Sequence, residues 1–228
     1  YLMMMKNTME FKPDIRKAMN AADELLLAAI AVTSFPYSVT DLIEYTTDIQ
    51  VRSFQYLNQK GVNPLAFGSK DALIFSYKGM TMMAYDRMAL KTRIRFSILH
   101  ELGHFMLNHD MRPDIPRALY NKQEVEANYF AAQLLMPEQI LGELRRRLVR
   151  LDRQAIKKYF GVSGEAADIR LGNLDQGLDI RSRWPGDYDD IILARYMGFV
   201  QTIAPTRADI LSFDDEYDMQ RERDSWYY

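Results

Sequence analysis

Apolar residues near the start of the chain recur at steps of three and four positions, which predicts an amphipathic helix over Ile15–Val32. The proline at position 36 ends this helix. A second, short helix is expected to follow, with Thr40 or Asp41 as its N-cap. The periodic apolar positions of the first helix are Ile15, Ala18, Met19, Ala22, Leu25, Leu26 and Ala29.

The pattern changes to strands between residues 49 and 86, where runs rich in β-branched, aromatic and Met residues are separated by turn-forming residues. We expect strands over Ile49–Tyr56, Ala72–Tyr77 and Met80–Tyr85. The two-residue Lys78-Gly79 link favours a hairpin between the last two strands. The sheet is therefore expected to be small and mostly antiparallel.

Helical periodicity returns after the strands and predicts two long helices, over residues 92–108 and 122–136. No regular element is predicted from Asp175 onward. The predicted fold class is α+β, with helices around a small sheet. Shorter helices are expected over 138–151, 153–160 and 163–171.

Composition narrows the class of protein further. Of the 228 residues, 48% are hydrophobic and 26% are charged, which is the balance of an ordinary globular protein. The longest apolar run, Leu25–Val32, is far shorter than the roughly twenty residues that a bilayer span needs, so membrane insertion is not expected. The chain has no cysteine, which excludes disulfide scaffolds and thiolate sites and makes the cytoplasm the expected compartment. The net charge of -2 excludes a general polyanion binder.

The stretch His100-Glu101-Leu102-Gly103-His104 is an H-E-x-x-H pattern on a predicted helix. A four-residue step turns a helix by about 400°, so both imidazoles lie on one face and can bind one metal ion. Glu101 lies about 100° further round, where it can act as a base without being a ligand. The alternative is a helix with two core-facing histidines that flank a glutamate by chance.

A catalytic zinc site usually has three protein ligands and one open position, so a third ligand is needed. Asp110 is chemically suited, but position 107 is Leu107 rather than a glycine, and the helix has no evident reason to turn Asp110 back toward the metal. His109 is expected to point about 140° away from the ligand face. These positions are therefore weaker candidates.

The next predicted helix supplies a better candidate. Glu124 can complete a two-histidine, one-carboxylate set, and Asn128, one turn further on the same face, can hydrogen-bond a ligating imidazole. Glu126 lies about 200° from Glu124 and is expected to face solvent or a loop. Gly103 inside the same helix as the two histidines costs about 1 kcal/mol relative to alanine, which indicates that something packs closely there; a strand edge or a substrate backbone would be suitable.

Two stretches together resemble the ImmA/IrrE family of metallopeptidases: RFSILHELGH at 95–104 and EVEANYFAAQLLMP at 124–137. The resemblance covers roughly residues 15–172 and implies a gluzincin-like core that binds zinc. It assigns His100, His104 and Glu124 as zinc ligands and Glu101 as the base. In one respect the chain departs from the pattern. Many relatives have a histidine four residues after the second ligand, where this chain has Asn108 followed by a histidine.

The sequence pattern and the resemblance together lead to an expected division of the chain, and the resemblance implies a function. Residues 1–138 are expected to form the zinc metallopeptidase core, 139–174 a helical segment that resembles a helix-turn-helix, and 175–228 a C-terminal extension with an acidic tail. The expected activity is endoproteolysis of a helix-turn-helix transcriptional repressor of a phage, mobile-element or stress regulon.

Three points stay open in the sequence: DNA binding, an alternative function and the oxyanion donor. Residues 139–160 are rich in Lys and Arg, but DNA binding is not favoured because the whole chain is close to neutral. The alternative function is a non-catalytic, zinc-stabilised regulator that binds a repressor or DNA, although such a protein does not need Glu101. The donor that stabilises the oxyanion is equally open, and the candidates are Tyr85, Tyr120, Tyr129, His109 and nearby arginines.

Overall fold

The computed structural model describes residues 11–63, 71–183 and 185–206. Its fold is α+β, mostly helical with one small sheet, as the sequence predicts. No helix of the described residues is both long and apolar enough to cross a membrane. In chain order the elements are α1 (Ile15–Ala28), α2 (Val39–Thr46), β1 (Gln50–Ser53), α3 (Phe54–Gln59), β2 (Ala72–Tyr77), β3 (Met80–Tyr85), α4 (Lys91–Met106), α5 (Arg117–Leu135), α6 (Glu138–Arg146), α7 (Arg153–Phe160), α8 (Gly164–Arg183) and α9 (Asp189–Ile203).

The described sheet has three strands in the order β1-β3-β2. The predicted hairpin is present: β2 and β3 pair antiparallel, and Lys78 and Gly79 take the positive φ angles of 51° and 78° that a tight two-residue turn requires. β1 instead pairs parallel with β3, so the sheet is mixed. The first strand also ends earlier than predicted, because α3 begins at Phe54 with the Ser53 hydroxyl capping it.

Several helix boundaries differ from the prediction. The N-cap of α2 is Ser38, α5 begins at Arg117, five residues early, and α6 already ends at Arg146. The largest difference is at the end of the described chain, where α8 continues to Arg183 and α9 follows. α9 lies where no regular element was predicted, yet it contributes four buried residues to the core: Ile192, Tyr196, Phe199 and Val200.

Helices α4 and α5 pack against each other very closely at Gly103. A Cβ atom at this glycine would lie 3.1 Å from Phe130 Cδ1 and 3.2 Å from Ala127 Cα. The close packing expected from the sequence is therefore present, but its partner is a helix rather than a strand edge or a substrate. This approach sets the distance between the two helices that carry the candidate site.

The predicted pair of helices is present as α7 and α8, joined by a turn in which Gly161 has a left-handed φ of 63°. The turn is held to α4, because Arg95 Nη1 donates hydrogen bonds to the carbonyls of Phe160 (2.9 Å) and Gly161 (2.6 Å). DNA binding by this pair stays a prediction. Several basic side chains of the region are neutralised within the chain: Arg146 and Arg147 pair with Glu143, Arg150 pairs with Asp152, and Arg153 pairs with Asp168.

A buried ion pair joins α8 to the α5–α6 corner. The Arg170 guanidinium donates to Glu138 Oε1 (3.1 Å), to Gln133 Oε1 (2.7 Å) and to the Met136 carbonyl (2.7 Å). The side chains of Arg170 and Glu138 are only 2% and 3% exposed. A charge buried to this degree is tolerated only with such partners.

We therefore expect Arg170→Met to lower the free energy of unfolding by about 3–5 kcal/mol, because the Glu138 carboxylate stays buried after losing its guanidinium partner. Arg153→Met is the matched control, since its ion pair with Asp168 is 58% and 42% exposed. The control is expected to cost about 0.2–1 kcal/mol. Urea unfolding monitored by circular dichroism measures both, and equal losses in the two variants would contradict the expectation.

Candidate metal centre

Three side chains from α4 and α5 converge on one point. The Nε2 atoms of His100 and His104 lie 3.0 Å apart. The Glu124 carboxylate faces both rings, with Oε2 at 3.5 Å from His100 Nε2 and Oε1 at 3.4 Å from His104 Nε2. Among the described residues, this trio forms a group that could hold a metal ion, with its donor atoms all within 4.8 Å of one another.

The local sequence explains this convergence. The two histidines are four residues apart, so they occupy one face of α4, as the H-E-x-x-H spacing predicts. Glu124 reaches them from α5 because the two helices approach closely at Gly103. The burial is uneven: the His104 side chain is 3% exposed, whereas that of Glu124 is 31% exposed. The cluster thus has a closed inner side and an accessible outer side.

The electrostatics of the trio suit a cation. Burial, together with the nearby rings of His100 and His109, lowers the pKa of His104 to about 3. Burial also lowers the pKa of His100. Both imidazoles are therefore neutral near pH 7, and a neutral imidazole has the lone pair that a metal ligand needs. Two imidazole nitrogens and one carboxylate oxygen are also the donor set found in many catalytic zinc sites.

Glu101 lies on α4 beside the trio without belonging to it. Burial and the negative charge of Glu124 raise the pKa of its carboxyl to about 7. A carboxyl group with a pKa near neutrality can both accept and release a proton under ordinary conditions. Such a pKa would suit a general base, and the role of Glu101 as the base stays a prediction.

Asn128 lies where the helical periodicity predicts, one turn after Glu124 on α5. Its Oδ1 atom is 3.0 Å from His100 Nδ1. The Nδ1–H of His100 can therefore donate to Asn128, which leaves Nε2 of the same ring free to face the trio. Asn128 also lines a mostly apolar groove of about 560 Å³ beside the site, together with Phe96, whose ring stacks on His100.

The structure also places two neighbouring residues, and it contradicts the expectation for one of them, His109. Glu126 was expected to face solvent or a loop, and it faces a loop: it is buried, and its Oε1 accepts the backbone N–H of Asp14, in the segment before α1, at 2.6 Å. His109 was expected to point away from the ligands. Its Nδ1 instead lies 2.9 Å from Nδ1 of His104, and its Nε2 lies 3.0 Å from Glu126 Oε2.

The asparagine at position 108 is the sequence feature from which the turn that carries His109 could have been predicted. Its φ of 54° is left-handed, and it ends α4 with a Schellman motif in which the His109 N–H bonds the His104 carbonyl and the Asn108 N–H bonds the Phe105 carbonyl. Asn is the residue that most often replaces Gly at this position. The helix therefore stops without the glycine whose absence argued against a turn.

The structure also shows the surroundings of the remaining candidates, which are Asp110 and the proposed oxyanion donors. The Asp110 carboxylate binds Arg112 at 2.6 Å and does not join the trio. Among the proposed oxyanion donors, Tyr120 is half exposed and its hydroxyl hydrogen-bonds Glu124. Tyr85 and Tyr129 pack against the hydrophobic core. Both ring nitrogens of His109 are engaged, by His104 and by Glu126, which leaves Tyr120 as the better candidate for the oxyanion donor.

Comparison with known proteins gives two matches. A family profile described as the IrrE N-terminal-like domain, Peptidase_M78, matches residues 60–172, a range that contains all of α4 and α5. The metallopeptidase ImmA of Bacillus subtilis (strain 168) is 27% identical over 84 residues, which are 35% of this chain and 50% of that protein. The match thus spans about half the length of this curated relative.

Proposed function

Because the chain belongs to the ImmA/IrrE family of metallopeptidases, we propose that it is a zinc-dependent endopeptidase that cleaves a helix-turn-helix transcriptional repressor at one site. The observation that carries the proposal is the convergence of His100, His104 and Glu124, with Glu101 beside them. A non-catalytic regulator would need the three ligands but not this base. The proposed reaction takes place in the cytoplasm, where such repressors act.

The three converging side chains would hold the zinc ion. When bound, zinc supplies Lewis-acid polarisation of the scissile carbonyl and a lower pKa for water in the site. The Glu101 carboxylate accepts a proton from the attacking water and then delivers it to the nitrogen of the leaving amine. In the proposed mechanism the Tyr120 hydroxyl, whose partner in the structure is Glu124, donates a hydrogen bond to the carbonyl oxygen as negative charge develops there.

Specificity for one protein substrate would come from surfaces outside the reacting atoms. The groove beside His100 is lined by apolar side chains of α4, α5 and α8, among them Phe96, Tyr129, Ala132 and Ile169. Binding energy from such remote contacts can position a single scissile bond over the site. The proposal therefore predicts selective cleavage rather than general proteolysis.

The experiment that tests this function incubates the zinc-loaded protein with purified helix-turn-helix repressors and reads the products by intact-mass spectrometry. We expect one repressor to yield two fragments whose masses add up to the intact chain plus one water. Unstructured casein is the control and is expected to stay intact. Efficient hydrolysis of casein, or the absence of cleavage of every repressor by zinc-loaded protein, would contradict the proposal.

A further inference from the structure

We propose that His109 and Glu126 are positioning residues that hold His104 in the one tautomer and orientation in which it can bind the metal. This inference rests on the proposed zinc site but concerns residues that the site itself does not include. The three side chains form a continuous chain of contacts, from His104 Nδ1 to His109 Nδ1 (2.9 Å) and from His109 Nε2 to Glu126 Oε2 (3.0 Å).

The proton positions on the two imidazole rings follow from the position of His104 Nε2. His104 Nε2 is the atom that faces His100 and Glu124, so this nitrogen must offer its lone pair. The ring proton of His104 is then on Nδ1, and it can be donated only if His109 Nδ1 accepts it. His109 must in turn carry its proton on Nε2, where Glu126 Oε2 accepts it. Each ring thus has one arrangement that satisfies both of its nitrogens.

Glu126, at the end of this series of contacts, is held by several other groups. Glu126 Oε1 accepts the backbone N–H of Asp14, the N-cap residue of α1, at 2.6 Å, and Lys122 Nζ lies 3.9 Å from the same oxygen. The side chains of His109 and Glu126 are 5% and 8% exposed, so water hardly competes with these contacts. A carboxylate held in this way keeps its acceptor oxygen directed at His109.

The two histidines that would bind the metal therefore have different hydrogen-bond partners. His100 donates to the neutral amide oxygen of Asn128, whereas His104 donates through a second imidazole to a carboxylate. A carboxylate at the end of such a chain makes the ligating imidazole a stronger electron donor. The left-handed backbone of Asn108 is what brings His109 back to this position.

Two variants test the inference, and a third is their control. His109→Phe keeps a planar ring but removes the acceptor for His104, and Glu126→Gln replaces one acceptor oxygen by an N–H donor. Asp110→Asn changes the next residue on the same loop, whose carboxylate binds Arg112 instead. Competition with a chromophoric chelator gives the zinc affinity of each protein, and thermal unfolding of the metal-free proteins separates a loss of stability from a loss of affinity.

We expect His109→Phe and Glu126→Gln to weaken zinc binding by about 10–100-fold, the usual cost of losing an outer partner of a ligating histidine. Zinc should still bind at saturating concentration, and Asp110→Asn should bind as the wild type does. Unchanged zinc affinity in His109→Phe with a lower unfolding temperature would show a merely structural contact and overturn the inference. An equal loss in Asp110→Asn would overturn it too.

A second measurement does not depend on any variant. Nitrogen-15 NMR of zinc-loaded wild-type protein reports which ring nitrogen of each histidine carries the proton. We expect Nδ1–H for His104 and Nε2–H for His109, and the opposite tautomer of His109 would overturn the inference. The proposed function fails separately, if wild-type protein does not bind zinc or if Glu124→Ala binds it equally well.

Discussion

Replacing Glu101 by glutamine is expected to lower kcat/KM for repressor cleavage by about 10²–10⁴-fold, the range that a positioned general base contributes. Glutamine has the same shape, but its amide cannot take a proton from the attacking water. Zinc content should stay at the wild-type level, because Glu101 is not part of the trio that could hold the metal. Initial cleavage rates by chromatography and zinc content by mass spectrometry measure the two effects on the same samples.

The two measurements also separate the enzyme from the alternative regulator. A regulator that only binds its repressor would lose nothing when Glu101 becomes glutamine. Full cleavage by Glu101→Gln would exclude the role of this residue as base, whereas loss of zinc together with activity would make it a ligand. Either result would require a different mechanism for the site.

The second large effect concerns the ligands. His104→Ala and Glu124→Ala are expected to lose zinc and activity together, and the loss of affinity should exceed the about 10–100-fold cost of removing an outer partner. The reason is that each removes one of three donors, and the remaining pair cannot enclose the ion. Zinc content after gel filtration and the cleavage rate are the measurements.

Asp110→Ala is the control for this series, because its carboxylate is paired with Arg112 and lies outside the trio. This variant is expected to keep both zinc and activity. If Asp110→Ala lost the metal while Glu124→Ala retained it, the third ligand would be wrongly assigned and the gluzincin-like arrangement with it.

Much of the candidate site could be predicted because helical periodicity alone decides which residues share a face. The spacing of His100 and His104 puts both rings on one side of α4, and the spacing of Glu124 and Asn128 does the same on α5. The close packing of the two helices was indicated by Gly103, although the sequence did not reveal that α5 was the partner.

The prediction from helical periodicity was wrong beyond the end of α4. The direction of His109 was derived by continuing the rotation of α4, but Asn108 takes a left-handed φ of 54° and reverses the chain. For Glu126, of the predicted alternatives solvent or a loop, the structure shows the loop. The helical wheel places it opposite Glu124, but it cannot show that the start of α1 covers that face, where the Asp14 N–H binds the carboxylate.

The remaining differences between the predicted and the observed fold depend on contacts between elements that are far apart in the sequence. Strand patterns do not encode direction, so the parallel pairing of β1 with β3 could not be deduced from Gln50–Ser53 alone. α9 was overlooked because prolines at positions 185 and 205 flank it, although its apolar residues are spaced for a helix face. Since Ile192 and Tyr196 belong to the main core, removal of α9 would disturb the fold.

The most direct test of the central claim is anomalous diffraction at the zinc absorption edge from zinc-loaded crystals. The claim is that His100, His104 and Glu124 hold one zinc ion beside Glu101. We predict a single strong peak among the two Nε2 atoms and the Glu124 carboxylate, with Glu101 outside the coordination shell. A peak bound by Asp110 or by Glu101, or no peak between the two histidines, would contradict it.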